Sequence, residues 1–147
     1  MSRERRRLVA EVGVELGALL ASARTVTNEA AAAFVEDRPG LRPATFHVAR
    51  WLHSFGSARP SEIAVALDMD KAALSRLVAD LASAGLVEKR PHQGDARSVE
   101  VALTRLGVGR VTRALENKGA ALTQRLKVFD DDELTTLARL LHRLRSV

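Results

Sequence analysis

The sequence predicts a mainly α-helical fold with one small antiparallel β-hairpin in its second half. Apolar residues make up 46% of the 147 residues, many of them alanine or leucine, whereas tyrosine is absent and tryptophan occurs once. That balance favours helices over sheets. Apolar side chains recur at three- and four-residue steps over most of the chain, and this period changes to alternation only after Gly85. The length fits one compact domain, or a small domain with helical extensions.

The first element is one long amphipathic helix, which we expect from about Leu8 to Val35. Its apolar stripe is formed by Leu8, Val12, Leu16, Leu19, Ala23, Val26 and Ala30. The segment EDRPGLRP ends this helix, because proline and glycine cluster there.

Two helices that begin at prolines are expected next. Pro43 suits the first position of a helix through ATFHVARWLHSF, with Gly56 as its C-terminal cap. Pro60 opens a short helix over SEIAVAL, where the carboxylate of Glu62 lies in the first turn and suits the helix dipole.

A longer helix over KAALSRLVADLASAG follows a brief turn. Asp70 is a good N-cap for it, and Gly85 ends it. Its buried stripe is formed by Leu74, Leu77, Val78 and Leu81. The short helix, the turn and this helix together predict a helix-turn-helix.

The stretch after Gly85 reads as a β-hairpin. LVEKR is one short strand, and the turn that follows contains Pro91 and Gly94. In the returning strand, two sets of residues alternate: Val99, Val101 and Leu103 against Ser98, Glu100 and Ala102. Thr104 is placed to cap the next helix.

Two amphipathic helices complete the chain, separated by the segment DDDE. Their apolar stripes are formed by Val108, Val111, Leu115, Leu122, Leu126 and Phe129, and by Leu134, Leu137, Leu141 and Leu144. Together with the first helix they carry more apolar surface than a small domain can cover, so we expect a partner helix from a second copy. A monomer that folds all three helices back on itself is the alternative.

The element order of three helices, strand, turn and strand is the plan of a winged helix-turn-helix. The second helix of the pair would present its N-terminal outward residues to the DNA major groove: Lys71, Ala72, Ala73, Ser75 and Arg76. The alanines let the backbone approach the base edges, while Ser75 and Arg76 supply hydrogen bonds to bases or phosphates. Arg76 is also spaced for an ion pair with Asp80. A merely solvated helix face is the alternative interpretation.

The hairpin turn HQGDARSVEV supplies the second predicted DNA contact. An arginine at a hairpin tip, here Arg97, can enter the narrow minor groove, and Asp95 is expected to hold its guanidinium through a bidentate pair. Lys89, Arg90 and His92 add positive charge for phosphates. The alternative is a surface ion pair in a loop, which contributes little.

Charge and missing motifs narrow the class of protein. The net charge of +5 and the pI of about 10.6 favour a polyanionic partner. No cysteine is present, so disulfides and zinc–thiolate sites are excluded. The first residues lack the apolar run of a signal peptide, and no apolar stretch approaches the roughly 20 residues that cross a bilayer, which favours a cytoplasmic protein.

Enzyme and metal sites are not predicted. The chain has no nucleophile elbow, phosphate-binding loop or dinucleotide-binding glycine pattern. His47 and His53 are six residues apart on one helix and do not share a face, while His92 and His142 stand alone. We therefore expect no catalytic residues, no metal and no cofactor.

The central part of the chain resembles a known family. SEIAVALDMDKAALSRLVADLASAGLVEKRPHQGDARSVEVALTRLG, from Ser61 to Gly107, resembles the DNA-binding core of MarR-type transcriptional regulators. The resemblance rests on LSRLVADLASAGLVEKR, on the Asp-x-Arg step of the wing and on LTRLG. Ala72 and Ala73 depart from the serine or threonine that is frequent in the family at these positions.

The resemblance implies a homodimer with interlocked terminal helices and two winged domains that read a palindrome in double-stranded DNA. Arg97 would then be the minor-groove residue, Asp95 its orienting partner, and Lys71 to Arg76 the major-groove face. The resemblance also implies a small-molecule effector between the DNA-binding and dimer regions. Three aromatic residues are expected to be core residues and could also wall its pocket: Phe46, Trp51 and Phe55.

The predicted organisation is a dimerisation helix in residues 1–38, a winged helix-turn-helix DNA-binding domain in residues 39–104, and C-terminal dimerisation helices in residues 105–147. The predicted function is a ligand-responsive repressor that binds a palindromic operator as a homodimer. A winged-helix module that binds proteins and never touches DNA remains the alternative.

Overall fold

The computed structural model describes residues 1–146, and within them the chain forms six helices and one two-stranded antiparallel sheet. The elements are α1 Arg3–Val35, α2 Thr45–Phe55, α3 Pro60–Ala66, α4 Lys71–Ser83, β1 Val87–His92, β2 Asp95–Leu103, α5 Arg105–Leu126 and α6 Asp131–Arg145. The predicted fold class, mainly α with one β-hairpin, is confirmed. We call β1, β2 and their turn the wing.

Side-chain caps set several helix starts where the sequence predicts them. Asp70 accepts a hydrogen bond from the backbone N–H of Ala73 at 2.7 Å, and Thr104 accepts one from Gly107 at 3.1 Å. Pro60 occupies the first turn of α3. Each cap satisfies a backbone donor that the helix itself leaves unpaired.

Two predicted helix starts are wrong by a few residues. Helix α1 begins at Arg3 rather than Leu8, because Ser2 caps the N–H of Arg5 at 3.2 Å and the helix continues beyond its apolar stripe. Helix α2 begins at Thr45, since Pro43 lies in the preceding turn and its carbonyl accepts from the N–H of Phe46 at 3.0 Å.

One apolar core joins the C-terminal end of α1 to α2, α3, α4, the base of the wing and α5. The largest side chains that it buries almost completely are Phe34, Phe46, Ile63, Leu74, Leu81, Leu86, Val48, Val101 and Val111. The rings of Phe34 and Phe46 lie 5.5 Å apart at a tilted angle. The stripe of α4 predicted to be buried is buried at all four positions.

The wing is attached to the body along its base. Its strands pair from Val87 with Leu103 to Pro91 with Val99, so Pro91 lies in β1 and not in the turn. The segment before α3 adds a bridge in which Ala58 and Val101 exchange two backbone hydrogen bonds of 3.1 and 2.8 Å. This bridge fixes the wing to the connection between α2 and α3.

The predicted alternation in β2 is only partly right. Val101 is buried as expected, but Glu100 and Ala102 are buried too, and Val99 is 46% exposed. The connection between α2 and α3 explains the difference, because Ala58 pairs with Val101 along the free edge of β2 and the Ser57 hydroxyl donates to the Glu100 carboxylate at 3.3 Å. Val99 lies beyond these contacts.

The terminal helices leave apolar side chains in solvent. Helix α1 buries only Ala30, Ala31 and Phe34, and α6 buries none of its residues. The exposed large apolar residues on these helices and α5 include Leu8, Val9, Val12, Val14, Leu19, Leu20, Leu122, Leu140, Leu141 and Leu144. From Met1 to Ser146, no helix has the length and apolar character needed to cross a membrane.

A close approach between α5 and the start of the wing depends on one glycine. The backbone carbonyl of Leu86 accepts from the N–H of Thr104 at 3.0 Å and lies where a Cβ on Gly107 would sit. A side chain at position 107 would therefore collide with backbone that cannot rotate away.

We predict that Gly107→Ala lowers the free energy of unfolding by about 1–3 kcal/mol, the usual cost of overpacking a buried site. Urea or thermal unfolding measures the change. Gly109→Ala is the matched control in the same helix, because nothing lies within 4 Å of the position that its new methyl group would take. The control should be neutral or stabilising by up to about 1 kcal/mol. Equal effects of the two substitutions would contradict the close approach.

Candidate nucleic-acid interface

The outward face of α4 has the composition expected for close approach to a flat or grooved surface. Lys71, Ala72, Ser75 and Arg76 are exposed, and Ala73 is half-buried beside the cap of Asp70. These residues face outward because the opposite, apolar stripe of α4 packs against the core. The structure thus brings the five predicted major-groove residues together in the first half of α4.

Ala79 belongs to the same outward face and was not predicted. It is exposed one turn beyond Ser75 and Arg76. Helical spacing would have identified it, because Ala72, Ser75, Arg76 and Ala79 follow the steps i, i+3, i+4 and i+7. The exposed stripe of α4 therefore consists of three small side chains and one arginine.

The predicted ion pair between Arg76 and Asp80 is not formed. Asp80 instead accepts hydrogen bonds from Nη2 and Nε of Arg42, at 2.7 and 3.0 Å. Because Asp80 is engaged on the inner side of α4, none of the ion pairs among residues 1–146 involves Arg76. The guanidinium of Arg76 remains available to an outside partner.

The turn of the wing is held by two side chains that bind backbone. Asp95 Oδ1 accepts from the N–H of Arg97 at 3.0 Å, and His92 Nδ1 accepts from the N–H of Gly94 at 3.1 Å. The expected bidentate pair of Asp95 with the Arg97 guanidinium is therefore wrong, because a carboxylate two residues away meets the backbone N–H first. Asp95 orders the start of β2, His92 orders the turn, and the Arg97 side chain stays exposed.

The positive charges of β1 differ in how firmly they are held. Lys89 is exposed, whereas the Arg90 Nε lies 3.3 Å from the carboxylate of Glu100. Glu100 is buried and also accepts from Ser57, so its position is fixed. The Arg90 side chain is still about half exposed, and His92 is half-buried at the end of the strand.

The surface formed by α4 and the wing can therefore donate hydrogen bonds to anionic or polar groups. Its cations are Lys71, Arg76, Lys89, Arg90 and Arg97. Cationic side chains on two neighbouring elements can contact phosphates on both sides of a groove, while Ser75 offers a neutral hydroxyl between them. We name this surface, from Lys71 to Ala79 together with the wing, the α4–wing surface.

The three aromatic residues expected to wall an effector pocket have three different environments, and Phe55 is not in the core as predicted. Phe46 is fully buried against Phe34, and Trp51 is half-buried. Phe55 is 72% exposed and stacks on Trp51 at 5.1 Å. The three side chains follow one helix but point to different surroundings, so core packing and surface stacking account for them.

Two open clefts lie elsewhere, one beside the outer half of the wing and one at its base. The larger, of about 620 Å³, is lined by Ser57, Arg90, Pro91, His92, Gln93 and Glu100. The smaller, of about 270 Å³, is lined by Leu52, His53, Gly56, Ser57, Arg90, Ala102, Leu103 and Val108. Neither includes the three aromatic residues. Among residues 1–146 no three histidine or acidic side chains converge as metal ligands would.

Comparison with known proteins identifies the type of winged helix. Residues 40–98 match the model of the MarR family. The transcriptional regulator PecS of Dickeya dadantii is 33% identical over 85 residues, which make up 58% of this chain and 51% of PecS. The match thus spans about half the length of this curated relative.

Solved structures extend the similarity over nearly the whole chain. A MarR family protein from Bacillus stearothermophilus has a TM-score of 0.81 at 22% identity, with 96% of this chain and 95% of that chain covered. The apo form of MarR from E. coli has a TM-score of 0.64 at 27% identity, with 88% and 96% covered. The resemblance read from the sequence is confirmed: this chain is similar to MarR-type regulators and has their winged helix-turn-helix fold.

Proposed function

We propose that the chain is a homodimeric transcriptional regulator that binds a palindromic DNA operator and acts as a ligand-responsive repressor. The observation that carries the proposal is the α4–wing surface, where small residues and exposed cations face outward together. The name of PecS as a transcriptional regulator supports the same function. Such a protein would act where the DNA is, which agrees with the cytoplasmic location expected from the sequence.

On this proposal each part of the surface has one task in DNA binding. The first half of α4 enters the major groove, where Ala72 and Ala73 allow close approach and Ser75 and Arg76 contact base edges. Arg97 enters the adjacent minor groove, whose narrow stretches attract arginine. Phosphate contacts come from Lys71, Lys89 and Arg90, so affinity for DNA should fall steeply as salt rises.

Dimerisation is supported by the apolar side chains that the terminal helices leave uncovered. Helix α6 buries none of its residues within its own chain, although its leucines repeat on one side. A 15-residue helix with an apolar stripe is marginal in water without a partner surface. A two-fold dimer also suits a two-fold operator, because it presents two α4–wing surfaces at a fixed separation.

Effector response is proposed as a shift between two arrangements of the dimer. In one arrangement the separation of the two α4 helices fits the operator half-sites, and in the other it does not. A ligand that binds the second arrangement more tightly would lower the fraction of dimers able to bind DNA. The two clefts along the wing are open volumes that share residues with the α4–wing surface. Ligand contacts there would act on the wing directly.

We predict that Arg97→Ala weakens binding to a duplex enriched from a random pool by about 1–3 kcal/mol, the size of a good groove contact. Fluorescence anisotropy measures the affinity. Stability should stay unchanged, since the Arg97 side chain is exposed and makes no ion pair among the described residues.

Lys127→Ala is the matched control, because it removes one exposed positive charge at the far end of α5. It should leave affinity almost unchanged. Failure of the wild-type chain to enrich any duplex would contradict the proposed function and favour the protein-interaction module. Equal losses from both variants would show that only net charge matters.

We predict that Leu141→Asp raises the dissociation constant of the dimer at least about tenfold, since a buried leucine contributes about 1.5–3 kcal/mol and a buried charge opposes association further. Analytical ultracentrifugation over a range of concentrations measures it. Val65→Asp places the same charge on an exposed apolar residue of α3 and should leave the dimer intact. A wild-type chain that sediments as a monomer at every concentration would contradict dimerisation.

A further inference from the structure

The connection between α1 and α2 holds the C-terminal end of α4. Arg38 donates a hydrogen bond from Nη1 to the carbonyl of Ala84, the residue that caps α4, at 2.7 Å. Carbonyls at a helix C-terminus lack partners within the helix, and a guanidinium satisfies one of them with favourable charge. This contact anchors the last turn of α4 from a segment outside the helix-turn-helix.

A second contact joins the same two segments one helical turn away. Arg42 places two nitrogens on Asp80 Oδ2, at 3.0 and 2.7 Å. Asp80 and Ala84 are four residues apart and therefore lie on the same side of α4. Two anchors on one side of a helix fix its direction as well as its position.

The same connection is tied to α1 and α5 at its beginning. Nη2 of Arg110, on α5, donates to the carbonyl of Phe34 at 2.5 Å and to Asp37 Oδ1 at 2.6 Å. Its guanidinium lies 5.9 Å from the centre of the Phe34 ring, and the side chain is only 14% exposed. The hydrogen bond from Arg110 lowers the pKa of Asp37, because it stabilises the charged carboxylate.

Residues 37–42 thus bridge the long helices α1 and α5 to the C-terminal half of α4. We propose that this bridge sets the half-site spacing that the protein accepts, with Arg38 and Arg42 as positioning residues for the recognition helix. The inference rests on the proposed function, because it assumes two α4 helices that read one operator. It adds the residues that decide the distance between them.

Helix geometry explains why a small loss of direction matters. Helix α4 has 13 residues, so it is about 20 Å long. A tilt of about 10° about its anchored C-terminal end would move its DNA-facing end by about 3.5 Å, close to the rise of one base pair. An α4 helix without the Arg42 anchor would therefore tolerate half-sites that are one base pair too near or too far.

The energy of the Arg42 contact is too small for a mainly stabilising role. The side chains of Arg42 and Asp80 are 50% and 32% exposed, and exposed ion pairs contribute about 0–1 kcal/mol. Its loss should leave the fold intact. Spacing preference is then measurable in variants that remain folded.

The test compares Arg42→Asp, Asp80→Arg and the double exchange on duplexes whose half-sites are moved apart or together by one base pair. The duplex pool enriched by the wild-type chain supplies the starting sequence. We expect the wild-type chain to bind the duplex with its selected spacing at least about tenfold more tightly than either altered duplex, which is about the cost of one mismatched base pair. Each single variant should reduce this preference to about threefold or less, and the double exchange should restore it.

Glu4→Ala is the matched control, since it removes an ion pair of the same 2.7 Å length that lies within α1 and joins no two elements. Circular dichroism and thermal unfolding confirm that the variants compared are folded. If a single variant loses stability, Arg42→Lys, which keeps the charge, takes its place in the comparison with wild type and should retain an intermediate preference.

Three outcomes would overturn the inference. Single variants that keep the wild-type spacing preference would show that the bridge does not set spacing. A double exchange that fails to restore the preference would show that the Arg42–Asp80 contact is not the cause. A wild-type chain that binds DNA equally well at every half-site spacing would show that there is no spacing preference for the bridge to set. If the wild-type chain binds no duplex, the proposed function fails and this inference fails with it.

Discussion

Burial of one side of α4 determines which side chains this helix presents to solvent. Its four stripe residues are all buried, and each buried leucine or valine contributes about 1.5–3 kcal/mol relative to an exposed one. The helical period places the remaining residues on the opposite side of α4. The exposed residues there are Ala72, Ser75, Arg76 and Ala79. The chemistry of the α4–wing surface follows from packing on the opposite side.

The wing has a fixed place beside α4 because three different contacts attach its base. The backbone bridge between Ala58 and Val101 joins it to the α2–α3 connection. The buried carboxylate of Glu100 draws Ser57 and Arg90 to the same point. Where Val87 pairs with Leu103, Gly107 lets α5 lie against the carbonyl of Leu86. With its base held, only the wing tip extends freely, and Asp95 and His92 order that tip through the backbone.

Local patterns predicted most of the fold, because capping residues and apolar periods act over a few neighbouring residues. Asp70, Thr104 and the stripe of α4 lie where their spacing indicates. The outward face of α4 follows from the same period, so the five residues predicted for the major groove lie together in the first half of α4. Ala79 needed only one further step of that period.

Contacts between distant segments could not be predicted from local patterns. Asp80 pairs with Arg42, which is 38 residues earlier in the chain, and not with Arg76. The buried Glu100 is bound by Ser57, in a connection more than 40 residues earlier.

The proposed function requires the wing to lie in the minor groove of DNA while α4 occupies the major groove. Because the chain has no cysteine, Ala96→Cys gives a single attachment point beside Arg97 for an iron chelate that cleaves nearby DNA. We expect cleavage of the bound duplex in two minor-groove segments placed symmetrically about the centre of the palindrome. The same chelate on Lys127→Cys, at the far end of the 22-residue α5, which is about 33 Å long, should cleave little. Equal cleavage from the two positions, or none from Ala96→Cys on a bound duplex, would contradict the account.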